Sequence, residues 1–245
     1  MKTFKTQIFA LALLATFACN DDDESASVAV ANDEAADMIA TSVASNSGGL
    51  SLIIDDTSLA TSANAGGRVQ ACGYSESADV TKSNKAGATI TYNYDFHYDY
   101  AVTCTNAIPS TFTTNATYSG SLDGLRIATE NAGKANLSVK TLDATFTYFT
   151  FNGSYDRSGS FESKVRNKNT SASTITINLT DVIVDKNTRT ITGGTASIDI
   201  AGTVTGKGAF SYSGTITFKG NKIAELNING TKYSVNLETG DVTAL

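Results

Sequence analysis

The chain has 245 residues, of which 41% are hydrophobic and 17% charged, and its formal net charge is −6 at pH 7. The sequence contains no basic patch, so we expect no binding to the phosphate backbone of a nucleic acid. The length suits one domain with a substantial core.

The first 18 residues have the layout of a secretory signal. Lys2 and Lys5 precede a short apolar run, and small residues follow it up to Cys19. The run is shorter than the about 20 residues that a membrane-spanning helix needs. The acidic sequence NDDDE after Cys19 is too polar for hydrocarbon. We therefore expect residues 1–18 to be removed on export and residues 19–31 to form a flexible acidic tether.

The sequence TFAC, followed by aspartates, resembles the lipobox of Bacteroidota cell-surface lipoproteins. Thr16 stands three residues before the cysteine, where the usual lipobox has an aliphatic residue. The resemblance implies cleavage just before Cys19, acylation of its thiol with chains such as palmitate, and anchoring at the outer membrane or cell surface. Cleavage by an ordinary signal peptidase near Ala18 is the alternative.

The number of cysteines agrees with a lipid anchor. Exported proteins normally pair their cysteines, and this chain has Cys19, Cys72 and Cys104. A disulfide between Cys72 and Cys104 leaves Cys19 for acylation, and two or more acyl chains anchor a protein stably. Because Cys104 lies on the apolar face of a predicted strand, we expect this disulfide to be buried.

A short helical segment is predicted before the strands. Asn32 or Asp33 can cap a helix over 33–45, which has acidic residues in its first turn and a narrow apolar stripe. The sequence NSGG ends it at 46–49. The following LSLIIDDTSLA, 50–60, is compatible with a second short helix or with a strand.

From about Arg68 to the C-terminus, one strand pattern follows another, with a single proline at Pro109. The chain therefore divides into a helical and loop segment, 32–67, and a β domain, 68–245. No helical pattern interrupts the strands, so the sheet is expected to be antiparallel. The predicted strands are 68–81, 88–105, 111–120, 124–130, 135–151, 154–166, 174–184, 189–204, 209–218, 222–228 and 231–237.

This many strands exceeds what an open twisted sheet usually carries. The predicted fold class is all-β: a single antiparallel meander that closes as a barrel-like or sandwich domain, with a short N-terminal helix. The sequence does not distinguish barrel from sandwich. Aromatic residues are spread along the strands and do not form the girdles of a membrane-spanning barrel.

The C-terminal hairpins can be aligned by requiring apolar residues to share one face. Asn229-Gly230 predicts a type I′ turn. Three-residue loops are predicted at 219–221 and 206–208, and Gly193-Gly194 predicts a bulge. The second loop sets an aromatic ring over a cross-strand glycine. The predicted pairs are Leu226 with Tyr233, Ala224 with Val235, Ile216 with Ala224, Val204 with Phe210, and Gly202 with Tyr212.

The only histidine of the chain, His97, is flanked by Asp95 and Asp99 on the same strand face. Two carboxylates and an imidazole suit zinc or another divalent metal, with a fourth ligand from a neighbouring strand. A hydrolase centred on His97 is a second interpretation. The simplest interpretation is the solvent-exposed face of a half-buried strand.

The opposite face of the same strand is a row of aromatic side chains. It predicts either a core face or the wall of a cavity for an apolar or sugar-like ligand. Its members are Tyr92, Tyr94, Phe96, Tyr98 and Tyr100.

A second local feature is FNGSYDRSGSF, 151–161, which predicts a hairpin tip because Asp-Arg-Ser-Gly is favourable in turns. A binding loop is the alternative. The sequence contains no Gly-x-Ser-x-Gly, His-Glu-x-x-His or phosphate-binding glycine motif.

These observations lead to one functional expectation with two alternatives. We expect an exported, surface-anchored lipoprotein with a non-enzymatic binding or structural role in the cell envelope, whose partners are the membrane and a surface ligand or envelope protein. No cofactor is expected. A carrier of a hydrophobic small molecule in a β-barrel cavity is the first alternative, and a hydrolase or metal site at His97 is the second.

Overall fold

The computed structural model describes residues 30–62, 70–84, 90–165 and 168–245. The predicted signal peptide, the predicted acylation site Cys19 and the predicted tether up to residue 29 lie outside the described residues. So do residues 63–69, at the junction between the helical segment and the first strand.

Two helices precede the sheet. α1 spans Asn32–Val43 and α2 spans Leu50–Thr61, with a short 3₁₀ turn at Ser45–Ser47 between them. Gly48 has a φ of +66°, a left-handed conformation that glycine adopts without strain, and it ends the 3₁₀ turn. The helix predicted over 33–45 is confirmed, and the ambiguous segment 50–60 is helical.

Every residue of α1 from Glu34 to Val43 is buried, so the helix is surrounded on all sides. The helix therefore packs against its neighbours on every face, and not only along the narrow apolar stripe that its sequence shows. Many of its residues are alanine, serine or threonine, and these small side chains allow neighbouring elements to approach closely. The hydroxyls of Thr41 and Ser42 donate to the carbonyl oxygens of Asp37 and Met38, which satisfies them inside the helix.

The remaining described chain forms eleven strands in one sheet, and each strand pairs with its neighbours in sequence in antiparallel orientation. The predicted all-β antiparallel meander is confirmed. The strands are β1 Ser75–Ser83, β2 Thr91–Thr105, β3 Ile108–Asp123, β4 Ile127–Lys140, β5 Tyr148–Ser163, β6 Thr170–Asp185, β7 Ile191–Val204, β8 Gly208–Gly220, β9 Ile223–Ile228, β10 Thr231–Asn236 and β11 Val242–Ala244.

The sheet curls around the helices, and its apolar face is the inner one. α1 is bonded to widely separated parts of the sheet: Asp37 to Arg126 after β3, and the carbonyl of Thr41 to Arg157 in β5.

The sheet does not close, since no ladder joins β1 to β11 within the described ranges. The connector between the helices lies along the last strands instead, where the amide of Ser45 donates to the carbonyl of Leu237. The result is a barrel-like wall around a helical centre.

The registers of the last hairpins agree with the prediction at one turn and differ at two. Leu226 pairs with Tyr233 and Ala224 with Val235, as predicted. The β7–β8 hairpin has a three-residue loop as predicted, but at 205–207 instead of 206–208, and the three-residue loop predicted at 219–221 is wrong. Each difference shifts the register by two residues and keeps the same face inside. Asn221 and Lys222 instead form a two-residue turn with positive φ angles, and a bulge follows Phe218. The observed pairs are Ile216 with Leu226, Phe218 with Ala224, Val204 with Gly208, and Gly202 with Phe210.

The bulge predicted at Gly193-Gly194 is present, since the β6–β7 register shifts there and Gly194 has a φ of +100°. The hairpin tip predicted over 151–161 is wrong, because this segment lies inside the continuous strand β5. Tyr155 and Arg157 have partners inside the barrel-like wall, and these contacts override the local turn propensity.

Candidate functional site

His97 lies on the outer face of β2 and interacts with the edge strand β1. Its Nδ1 is 2.7 Å from Oδ1 of Asp79, and its Nε2 is 3.6 Å from Oδ1 of Asp99. The hydrogen bond with Asp79 raises the pKa of His97, with smaller contributions from the charges of Asp79 and Asp99. Asp95 accepts a hydrogen bond from Thr81 at 2.6 Å instead. The closest carboxylate partner of His97 is therefore Asp79, which sequence reasoning missed because it belongs to another strand.

The predicted triplet does not converge around a point in space. Asp99 accepts a hydrogen bond from Ser77 at 2.5 Å, so both flanking aspartates are bonded to hydroxyls of β1. Within the described ranges, no group of three or more histidine, cysteine, aspartate or glutamate side chains could hold a metal ion. No serine hydroxyl in the described chain is hydrogen-bonded to His97.

The aromatic row of β2 is a core face. Its members Tyr94, Phe96, Tyr98 and Tyr100 are buried, while Tyr92 at the start of the strand is half-buried. Tyr98 donates to Asp56 of α2 at 2.8 Å, and the hydroxyl of Tyr94 accepts from Asn131 at 3.0 Å. Burial, aided by the charge of Asp56, raises the pKa of Tyr98 far above its usual value. The row thus attaches the sheet to the helices.

The space inside the sheet is filled by side chains and helices. Arg157 is 6% exposed and donates to the carbonyl of Thr41 at 3.0 Å, near the end of α1. The cavity beside it, also lined by Asn131 and Met38, has a volume of only about 20 Å³. This volume is comparable with one ordered water molecule. The four buried members of the aromatic row belong to the core, and the cavity beside Arg157 is too small for the ligand of a carrier.

Cys72 and Cys104 form a disulfide, with their Cα atoms 5.8 Å apart. The predicted pairing is therefore present, whereas the predicted burial is wrong: Cys72 is exposed and Cys104 is only half-buried. Cys104 is the next-to-last residue of β2, where the strand runs out of the core. The bond ties the chain preceding β1 to the end of β2.

A pocket of about 380 Å³ opens where the first strands, the helix connector and the last hairpins meet. We call it the seam pocket because it lies between the two ends of the sheet. It is lined by the first turns of α2, by β1 and β2, by the turn between β6 and β7, and by the end of β10. The residues that define it are Ser51, Asp55, Lys82, Tyr92, Arg189 and Leu237.

Ion pairs surround the seam pocket. Nε of Arg189 donates to Asp55 at 2.9 Å, and Nζ of Lys222 donates to Glu238 at 2.6 Å. Nζ of Lys82 lies 2.6 Å from Oδ1 of Asp56, a residue of α2. These pairs join the α2 helix, the edge strand β1 and two hairpin turns across the seam.

The turn between β6 and β7 holds Arg189 in place. Asp185 accepts hydrogen bonds from the amides of Asn187 and Thr188, and these bonds lower the pKa of the Asp185 carboxyl. The amide of Arg189 donates to the carbonyl of Asp185 at 2.8 Å. The sequence DKNTRT signals a turn through its aspartate, but it does not indicate that this turn faces α2.

The fold and this site define a class: a helix pair surrounded by one antiparallel meander, with a charged pocket at the seam between the ends of the sheet. No protein-family model, curated protein or solved structure matches the chain. Neither helix in the described ranges is long and apolar enough to cross a membrane.

Proposed function

We propose that this protein is an exported lipoprotein, anchored through Cys19 at the outer membrane or cell surface, which binds a small ligand at the seam pocket without catalysing its conversion. The anchoring part rests on the lipobox-like sequence ending at Cys19 and on the acidic residues that follow it. The binding part rests on the seam pocket, which combines sufficient volume, apolar side chains and charged groups.

The two alternative functions have less support from the geometry. The carrier requires a chamber inside the sheet, and the cavity beside Arg157 has a volume of only about 20 Å³. The hydrolase requires a nucleophile within hydrogen-bond reach of His97, whose closest partner is Asp79. An envelope protein as the surface partner is compatible with the proposal if part of it enters the seam pocket.

The anchoring part is tested by metabolic labelling with an alkyne analogue of palmitate, followed by separation of membrane and soluble fractions. We expect the wild-type protein to carry the label and to sediment with the envelope, and Cys19→Ser to lose both properties. The Cys72→Ser/Cys104→Ser variant is the matched control and should keep the label. An unlabelled wild-type protein would contradict lipid anchoring.

The binding part is tested by ligand-detected NMR with a mixture of small fragments and the Cys19→Ser protein. We expect some fragments to bind to this protein. The further substitution Leu237→Arg should abolish their binding, because the longer arginine side chain fills the seam pocket. Thermal unfolding of the variant reports whether it is folded. Absence of any binding fragment would contradict the proposal.

A further inference from the structure

We propose that the ligand of the seam pocket is a small organic carboxylate with an apolar body. This inference rests on the proposed binding function and specifies its ligand class. The volume of about 380 Å³ lies within the about 300–1,000 Å³ that is typical of small-molecule sites.

Arg189 has an unused pair of donors. Its Nε is bonded to Asp55 at 2.9 Å, whereas its two terminal nitrogens make no hydrogen bond to the described residues. A guanidinium presents these two nitrogens in a plane that matches the two oxygens of a carboxylate. The turn stabilised by Asp185 fixes the backbone from which this side chain extends, so less ordering is needed on binding.

The beginning of α2 adds further donors. Oγ of Ser51 is buried and has no hydrogen-bond partner within the described chain. Gly49, at the N-cap of α2, has no side chain with which to cap the helix, although the amide of Leu52 donates to its carbonyl at 3.0 Å. The first turn of a helix carries partial positive charge and unsatisfied amides, and both favour an anionic group.

Each carboxylate of the pocket already has one oxygen bonded to a cation, which weakens the attraction of the pocket for a cationic ligand. Asp55 is bonded to Arg189, and Glu238 to Lys222 at 2.6 Å. An ammonium ligand would have to compete with these cations. The apolar part of the ligand has its own surface, since Leu52, Ile191 and Leu237 line the same pocket beside the ring of Tyr92.

The test uses three probes that share one aromatic body: 3-phenylpropionate, its amide, and 3-phenylpropylamine. Binding to the Cys19→Ser protein is measured by titration of NMR chemical shifts. We expect 3-phenylpropionate to bind at least about tenfold more tightly than either other probe, and Arg189→Gln to weaken its binding by about tenfold or more. Lys140→Gln removes a positive charge from an exposed position on β4 outside the pocket, and should leave binding unchanged.

The outcomes separate this inference from the proposed function. Equal binding of the acid and the amide, or unchanged binding of the acid to Arg189→Gln, overturns the carboxylate inference. The seam pocket would then be a site for another class of ligand. Failure of all three probes and of every fragment in the mixture overturns both. Thermal unfolding of Arg189→Gln shows whether the variant is folded, and Ser51→Ala provides a second variant that should weaken binding of the carboxylate.

Discussion

The ring of Phe210 in β8 lies against the bare backbone of Gly202, its register partner in β7. A Cβ atom on Gly202 would be 2.8 Å from Cζ of Phe210 and 2.3 Å from the carbonyl oxygen of Ala172. Both distances are too short for real contacts, so the ring and the adjacent backbone occupy the space of a side chain. The aromatic cover stabilises a position where glycine alone would leave the strand unprotected.

We therefore expect Gly202→Ala to lower the free energy of unfolding by about 1–3 kcal/mol, the usual cost of overpacking. Gly193→Ala is the matched control, because a Cβ there meets only the side chain of Ile183, at 3.9 Å and beyond. Urea denaturation of both variants measures the difference. Equal stabilities would contradict the packing described for Phe210.

The ion pair between Asp37 and Arg126 connects α1 to the turn between β3 and β4. Nη2 of Arg126 lies 3.0 Å and 3.1 Å from the two carboxylate oxygens, and Asp37 is only 3% exposed. We expect Arg126→Gln to destabilise the fold by about 1.5–3 kcal/mol, the usual contribution of hydrogen bonds to a charged group. Lys164→Gln, which breaks the more exposed pair with Asp123, should cost less. Chemical denaturation that ranks the two variants in the opposite order would refute this role.

The pKa of His97 should depend on Asp79 and little on Asp95. Hydrogen bonding to Asp79 raises the pKa above the ordinary 6.5, so protonated His97 favours the folded state. This contribution is present below the unfolded pKa of about 6.5 and is lost as the pH rises through the folded pKa. NMR titration of the imidazole should give a lower pKa in Asp79→Asn than in the wild type, and a nearly unchanged pKa in Asp95→Asn. A larger change of the His97 pKa in Asp95→Asn than in Asp79→Asn would contradict this and would support the predicted triplet.

The buried tyrosines predict loss of stability at alkaline pH. Burial raises the pKa of Tyr118 well above 10.0, and the pKa of Tyr98 is raised for the same reason. Above about pH 10 the unfolded chain loses these protons while the folded chain keeps them, so the free energy of unfolding falls as the pH rises. Tyrosinate absorbance and circular dichroism are recorded together. We expect part of the absorbance to appear only as the protein unfolds, and complete ionisation of a folded protein would contradict this.

The Cys72–Cys104 disulfide should stabilise the protein although it lies near the surface. It joins residues 32 positions apart, and chain-entropy arguments give about 3–4 kcal/mol for a loop of this length. We expect the Cys72→Ser/Cys104→Ser variant to lose about this much free energy of unfolding. A reducing agent should destabilise the wild type and leave the variant unchanged. An equally stable variant would show that other contacts hold this end of β2.

The site residues differed in how far the sequence could predict them. The aromatic row was predictable as a core face because strand alternation is a local property. Asp79 was not predictable as the partner of His97, since a cross-strand pair depends on register. Arg157 was assigned to a turn because its neighbours favour one, and its buried contact with α1 lies 116 positions away in the chain.

The sequence by itself determined the strand-rich composition, the antiparallel order and the inward face of β2 and of the last hairpins, because hydrophobic alternation and tight turns act over a few residues. Only the tertiary structure decided what fills the sheet. The small residues of α1 are weak signals alone, yet they allow the sheet to surround the helix, and polar groups such as Asp37 and Arg157 find partners there. The seam pocket also exists only after folding, because Asp55 and Arg189 are 134 positions apart and meet where the two ends of the sheet come together.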